Sequence, residues 1–122
     1  MIPILLISLL GCNEPTVPPA CQQMCDSAAA LYGGCLSDWG VDWTAAGYED
    51  EQDFLMSCQT WSLEMVILED VTLEDGLHNE SQWLETTCTD RADLLSSEDA
   101  ACSDYTNIDW NSAPWVPSDT GN

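Results

Sequence analysis

The sequence predicts an all-α fold: a small, disulfide-stapled three-helix up-down bundle followed by an irregular C-terminal tail. Three observations support this. Apolar residues recur at three- and four-residue steps in three separate segments, as in amphipathic helices. Six of the seven cysteines lie between residues 21 and 102, an even number suited to three bridges. No segment longer than four residues shows the apolar-polar alternation of a half-buried strand.

The composition is strongly acidic. The chain has 122 residues, with 22 Asp plus Glu against one Lys or Arg residue, and its formal net charge is −21. This length corresponds to one small domain at most. Hydrophobic residues make up 45% of the chain, which is ordinary for a globular protein. Nucleic acid is excluded as a partner, because neutralising its phosphates requires clustered Lys and Arg.

The chain begins with a short apolar segment. Residues 2–10 carry no charge, but nine residues are too few to cross a hydrocarbon core, which needs about 20. Such a run is typical of a signal-peptide core. It ends in Leu9-Leu10-Gly11-Cys12, which resembles the lipobox of bacterial lipoproteins, where the cysteine becomes the new N-terminus.

The resemblance implies that residues 1–11 are removed, that the Cys12 thiol receives a diacylglyceryl group, and that its amine receives a third chain. Two or more acyl chains hold a protein firmly in a bilayer. In Gram-negative members, Asp after the cysteine is the usual inner-membrane retention signal. Here Asn13 takes that place, so we expect a lipid anchor in the outer membrane of the cell envelope. The alternative is a disulfide-bonded Cys12 behind an ordinary secretory leader.

The mature chain divides into a tether, a body and a tail. Residues 12–20 contain three prolines and predict an extended, lipid-anchored spacer of about 3 Å per residue. Residues 21–104 form the predicted disulfide-linked helical domain. Residues 105–122 form a polar tail, which we expect to be partly docked by Trp110 and Trp115.

Each helix of the body has its own apolar stripe. The first helix begins after Pro18 and is predicted to end at Gly33-Gly34, and residues 35–48 are predicted to be a loop with one turn of helix. The second, over about 50–71, has an acidic first turn that suits the helix dipole. The third covers about 80–96, and a short helical segment leads to Cys102. The three stripes are Cys21, Met24, Cys25, Ala28, Leu31 and Tyr32; Phe54, Cys58, Trp61, Met65 and Leu68; and Leu84, Cys88, Arg91 and Leu95.

Helix geometry reduces the fifteen pairings that six cysteines allow. Cys21 lies roughly 18 Å from the end of the first helix, so Cys35 just beyond that end cannot reach it. Cys21 and Cys25 occupy adjacent turns, where their Cβ vectors converge poorly. In an up-down arrangement the cysteines then match in height two by two. The predicted bridges are Cys25 with Cys58, Cys21 with Cys88, and Cys35 with Cys102.

No combination of residues points to catalysis. His78 is the one histidine, it falls in a predicted loop, and no nucleophile motif accompanies it. We therefore predict no enzyme activity and no cofactor. The acidic cluster 49–53 surrounds a first helical turn and cannot converge on one ion, so no metal site is expected. We expect these carboxylates to associate only loosely with divalent cations.

Tryptophan gives the alternative function. Trp39, Trp43, Trp110 and Trp115 each lie near carboxylates or in polar loops. If exposed, they would suit stacking on sugar rings or holding a peptide, as in a carbohydrate- or peptide-binding module. The other interpretation is that these rings cover the apolar stripes of a core too small to close by itself.

The body is also similar to small acidic six-cysteine lipoproteins of Gram-negative bacteria that have no assigned activity. This likeness implies a membrane-anchored extracytoplasmic protein with a structural or binding role. Its expected partners are the membrane, through the N-terminal lipid, and a protein or glycan ligand. Arg91, the one permanent cation, is expected to form an ion pair with a structural role.

Overall fold

The computed structural model describes residues 16–74 and 83–110, which are helical and contain no strand. This confirms the all-α class. The elements are α1 (Pro19–Asp38), a 3₁₀ helix (Trp43–Ala46), α2 (Glu51–Glu74), α3 (Trp83–Ser96) and α4 (Cys102–Thr106). The predictions for Cys12, His78 and Trp115 fall outside the described residues.

Helix α1 is longer than predicted. Pro19 occupies its first turn, where a missing N–H costs nothing, and Gln22 N–H donates to the Pro18 carbonyl over 3.0 Å. The predicted end at Gly33-Gly34 is wrong, because the helix continues to Asp38. Burial explains the extension, since Cys35 and Leu36 beyond the glycines are only 2% and 4% exposed.

The end of α1 is a Schellman motif. The N–H of Gly40 donates to the carbonyl of Ser37 over 3.0 Å, and that of Val41 donates to Leu36 over 2.9 Å. Gly40 has a φ of 75°, a left-handed conformation that favours glycine. The helix therefore ends before Gly40 and not at Gly33-Gly34.

The acidic residues before α2 act as caps. Asp50 Oδ1 accepts from Asp53 N–H over 2.9 Å, and Asp53 Oδ2 accepts from Glu49 N–H over 3.0 Å. This reciprocal pair satisfies two backbone donors that the start of a helix leaves free. Asp42 caps the 3₁₀ helix similarly by accepting from Ala45 N–H. Asp50 and Asp53 of the acidic cluster therefore have a structural role as acceptors for backbone N–H groups.

Helix α3 receives a cap from another helix. Glu69 of α2 is only 8% exposed, and its Oε2 accepts from Leu84 N–H in the first turn of α3 over 3.0 Å. A carboxylate is favoured there by the free N–H groups and by the helix dipole. The contact fixes the start of α3 against α2, and no pattern in the sequence predicted it.

Each cysteine of α1 bonds to a different helix. The S–S bonds are Cys21–Cys88 to α3, Cys25–Cys58 to α2 and Cys35–Cys102 to α4, with lengths of 2.09, 2.07 and 2.04 Å. These are the pairs predicted from the heights of the cysteines along the helices. Helix α1 is therefore the element to which the three others are covalently joined.

The core divides into two parts along α1. The sulfur cluster comprises Cys21, Met24, Cys25, Cys58, Trp61, Leu84, Cys88 and Ala92. The aromatic cluster comprises Tyr32, Trp43, Tyr48, Phe54 and Tyr105, packed around Ala28, Ala29 and Leu95. The predicted α2 stripe is buried from Phe54 to Trp61, Met65 is partly buried against the sulfur cluster, and Leu68 at its end is 38% exposed.

The domain boundaries differ slightly from those expected. Helix α1 begins at Pro19, as predicted from its proline signal, so the tether ends at Pro18 and not at Ala20. Tyr105 lies in α4, and both Ile108 and Trp110 pack against the core clusters, so the folded body extends to the last described residue.

Candidate functional site

The four tryptophans predicted to bind a ligand do not share one environment. Trp39 follows the end of α1 and is 52% exposed. Trp43 and Trp110 are half-buried against other side chains, and Trp115 lies outside the described residues. Trp43 and Trp110 therefore cover the core, and of the three rings that the structure describes only Trp39 is more than half exposed.

Trp43 packs directly onto α1. A Cβ atom added at Gly33 would lie 3.1 Å from Trp43 Cζ2, so the glycine gives the ring its place against the helix. The Trp43 ring centroid lies 5.1 Å from that of Phe54 and 6.2 Å from that of Tyr48. The 3₁₀ helix thus serves to close the aromatic cluster.

A continuous series of rings joins Trp39 and Trp43 to Trp110. Tyr32 lies 6.4 Å from Trp39 and 5.7 Å from Trp43, measured between ring centroids. Tyr32 also stacks on Tyr105 at 4.4 Å, and Tyr105 lies 5.9 Å from Trp110. These three tryptophans are therefore connected through Tyr32, predicted only as part of the α1 stripe, and through Tyr105, for which no role was predicted.

A small cleft opens between α2 and α4. Its volume is about 140 Å³. It is lined by Tyr48, Phe54, Ser57, Cys58, Trp61, Tyr105 and Trp110. Pockets for drug-sized ligands typically measure about 300–1,000 Å³. The cleft therefore has room for one side chain or a group of similar size.

Arg91 borders this region from α3. Its guanidinium carbon lies 5.4 Å from the centroid of the Trp61 ring and 5.0 Å from that of Trp110. Cations are attracted to the electron-rich faces of such rings. Burial lowers the pKa of Arg91, while the negative charge of Asp109 acts in the opposite direction. The residue expected in a simple ion pair is thus also held by two indoles.

The two indoles are fixed to each other. Their ring centroids lie 5.2 Å apart in an edge-to-face arrangement, and Trp61 Nε1 donates to the Trp110 carbonyl oxygen over 2.8 Å. Two buried donors nearby, Arg91 Nη1 and Trp110 Nε1, have no hydrogen-bond partner within residues 16–74 and 83–110. Buried donors are nearly always satisfied in folded proteins, so this pair requires an acceptor.

The tyrosines of the cleft remain neutral at ordinary pH. Burial raises the pKa of Tyr105, and the phenols of Tyr48 and Tyr32 nearby add to the effect. Burial likewise raises the pKa of Tyr48. Raised values favour the uncharged phenol, so these groups act as apolar rings with a polar edge.

The described ranges contain no group of three or more His, Cys, Asp or Glu side chains that could hold a metal ion.

The carboxylate of Asp42 binds neighbouring backbone and side-chain groups. A hydrogen bond from the Thr44 side chain, followed by one from the Ala45 backbone, lowers the pKa of Asp42.

Comparison with protein-family models, with curated proteins and with solved structures gives no match for this chain. Among the described helices, none is both long and apolar enough to span a bilayer.

Sequence reasoning missed Tyr48 and Tyr105 as lining residues. One signal was available for Tyr105. It lies three residues after Cys102, within the same short helix, so the predicted Cys35–Cys102 bridge brings it close to α1. No comparable signal identifies Tyr48, which precedes α2 in an irregular segment.

Proposed function

We propose that this chain is a membrane-anchored extracytoplasmic lipoprotein with a structural or binding role. The observation that carries the proposal is the cysteine count. The sequence has seven cysteines, and all six in the described ranges are bonded to one another. No cysteine of this chain is left to pair with Cys12, the residue at which the lipobox resemblance places the lipid.

The proposed organisation follows from that anchor. Residues 1–11 are a signal peptide, the tether continues from residue 12 to Pro18, the helical domain extends from Pro19 to Trp110, and residues 111–122 form the tail. The lipid holds the protein in the outer membrane of the cell envelope. A surface with net charge −21 supports this picture, because repulsion from anionic membrane keeps the body away from the bilayer.

We also propose that the three long helices form an up-down bundle. Contacts between α1 and α2 support it, because partners occur in opposite order along the two helices. Cys25 pairs with Cys58, whereas Tyr32, further along α1, packs against the earlier residue Phe54. Between α1 and α3 the order is the same along both helices, because Cys21 bonds to Cys88, whereas Ala28, further along α1, shares the aromatic cluster with the later residue Leu95.

Intact mass of the membrane-extracted protein tests the anchor. In a Gram-negative host, we expect the mass of residues 12–122 plus acyl chains, minus six hydrogens for three bridges. Cys12→Ala should lose the acyl mass and leave the membrane fraction. The matched control, Cys35→Ala with Cys102→Ala, should keep the acyl mass and stay in the membrane fraction. An unmodified Cys12 thiol in the wild-type chain would contradict the proposal.

A second candidate function is binding of a carbohydrate or peptide at the end of α1. It is favoured by the exposed side chains of Trp39 and Val41, which exposed Asp38 and Asp42 flank in the sequence. Titration calorimetry against a panel of oligosaccharides and peptides tests it. Trp39→Ala should weaken any binding at least tenfold, whereas Met56→Ala, which removes another exposed apolar side chain, should leave it unchanged.

A further inference from the structure

Helix α2 carries apolar side chains on two opposite faces. One face packs into the core through residues that include Phe54 and Trp61. On the other face Met56 and Ile67 are 58% and 51% exposed, and Leu63 between them is partly exposed. A surface helix of a globular protein normally has one apolar face, which it turns toward the core. The second apolar face of α2 therefore needs an explanation outside the fold.

The exposed apolar residues of α2 form a single row. From Met56 to Leu63 and on to Ile67, the steps of seven and four residues return to nearly the same direction at about 100° per residue. Thr60, which is also exposed, completes the row. We call Met56, Thr60, Leu63 and Ile67 the outer stripe of α2. Single exposed apolar residues are ordinary, whereas a contiguous exposed set marks an interaction site.

The outer stripe is bordered by acid. Glu64 and Asp70 are both exposed and lie on its two sides. The chain has one Lys or Arg residue, and this residue, Arg91, is held by the indoles of Trp61 and Trp110. No Lys or Arg of this protein therefore neutralises the border of the stripe.

A second copy of this chain fits the outer stripe poorly. The stripe spans about 17 Å along the helix, and a helix with its side chains is about 10 Å wide. A face of that size lies well below the roughly 800 Å² that each partner buries in a standard stable interface. Two copies would also bring together two surfaces of net charge −21. Apolar contact over so small an area does not offset that repulsion.

A basic amphipathic helix fits both properties of the surface. Helices of this kind bind through an apolar row with three- and four-residue steps, which matches the spacing of the outer stripe. Lys or Arg beside that row would lie opposite Glu64 and Asp70. Complementary charge speeds association and excludes wrong partners, so the net charge of −21 then favours binding. A bilayer lacks this advantage, because membrane surfaces are themselves anionic.

We propose that the outer stripe of α2 is a docking surface for a basic amphipathic helix of a partner protein. The apolar row of the partner packs on Met56, Leu63 and Ile67, and its cations pair with the acidic border. The proposal uses neither the lipid anchor nor the exposed side chain of Trp39, so it stands or falls separately from both.

Titration calorimetry of the full chain with a designed peptide tests the proposal. The probe has three heptads, about 20 residues, with Leu at the a and d positions and Lys at e and g. Its matched control has Ser in place of Leu and keeps every Lys. We expect the Leu peptide to bind at least tenfold more tightly than the Ser peptide. Equal affinities would contradict the proposal, because they would show attraction by charge alone.

A pair of double variants separates the stripe from general electrostatics. Met56→Glu with Ile67→Glu adds two negative charges, so attraction by charge alone would tighten binding of the basic peptide. We expect binding at least tenfold weaker, because the apolar contact is lost. The matched control is Val41→Glu with Leu94→Glu, which adds the same charge at exposed apolar positions outside the stripe and should not weaken binding. Met56→Ser with Ile67→Ser should also weaken binding, and it serves if the Glu variant does not fold.

Methyl NMR and sedimentation complete the test. With methionine methyl groups labelled, the peptide should shift the signal of Met56 and leave that of fully buried Met24 in place. An unmoved Met56 signal would overturn the proposal. So would a dimer at about 1 M salt that the Glu variant abolishes, which would assign the stripe to a second copy. Binding to phosphatidylcholine vesicles that the Glu variant abolishes would assign it to lipid instead.

Discussion

The two core clusters of this protein are held together by different means. In the sulfur cluster, two disulfides lie side by side, and Cys21, Cys25 and Cys88 are fully buried. In the aromatic cluster, rings from five segments meet with one disulfide at its edge, and most of them remain half-exposed. The comparison shows how one small chain combines covalent links with shape-dependent packing when its core is too small to rely on burial alone.

The largest expected effect comes from removing disulfides in a matched pair of variants. Cys21–Cys88 and Cys35–Cys102 both have a sequence separation of 67, so their loop-closure contributions are equal, at roughly 4 kcal/mol each. Only the first leaves a gap in a fully buried site. We expect Cys21→Ala with Cys88→Ala to lower the free energy of unfolding by about 1 kcal/mol more than the other double variant. Denaturant unfolding measures the two free energies. Equal losses in the two double variants would show that burial in the sulfur cluster adds no stability beyond the loop closure by the disulfide.

The next effect concerns the buried carboxylate that joins α2 to α3. Glu69→Ala leaves the Leu84 N–H without its acceptor, and we expect a loss of about 1–2 kcal/mol in the free energy of unfolding. Glu64→Ala is the matched control, because Glu64 is an exposed residue of the same helix, and it should change stability little. Indistinguishable results from the two variants would remove the proposed cap.

Two adjacent glycines of α1 test how tightly Trp43 packs in the aromatic cluster. A Cβ atom at Gly34 meets nothing within 4 Å, so Gly34→Ala should raise the free energy of unfolding by about 0.5–1 kcal/mol through helix propensity. At Gly33 the same atom lies 3.1 Å from the Trp43 ring, which must shift. Gly33→Ala should therefore lose about 1 kcal/mol relative to Gly34→Ala. Equal stabilisation would show that Trp43 moves freely.

The smallest effect appears only at alkaline pH. Because burial raises the pKa of Tyr105 in the folded chain, the unfolded chain releases its proton first as the pH rises above the ordinary value of 10.0. The contribution to stability is therefore complete below that pH and is lost as the pH rises through the folded-state pKa. Tyr105→Phe should flatten this decline in denaturant unfolding. An unchanged alkaline slope in Tyr105→Phe would assign the titration to other groups.

Much of the fold could be predicted because helix periodicity and cysteine spacing are local signals. Cys25, Cys58 and Cys88 each belong to an apolar stripe with three- and four-residue steps in a different helix. The height of each cysteine along its helix then limits which other cysteines it can reach. The cleft could not be predicted in this way. The Cys35–Cys102 bridge brings Tyr105 close to α1, but Tyr48 lies in an irregular segment, and no spacing along the chain indicates that it meets Phe54 and Tyr105.

By itself, the sequence determined that the described chain is helical, that α2 begins with an acidic turn and which cysteines can pair, because each of these depends on repeat distances along one or two helices. Only the tertiary structure decided that α1 continues past Gly33-Gly34, that Glu69 caps α3 and that Arg91 lies against two indoles. The physical reason is that these features arise from contacts between distant segments. Their energies depend on burial and orientation, which no local pattern records.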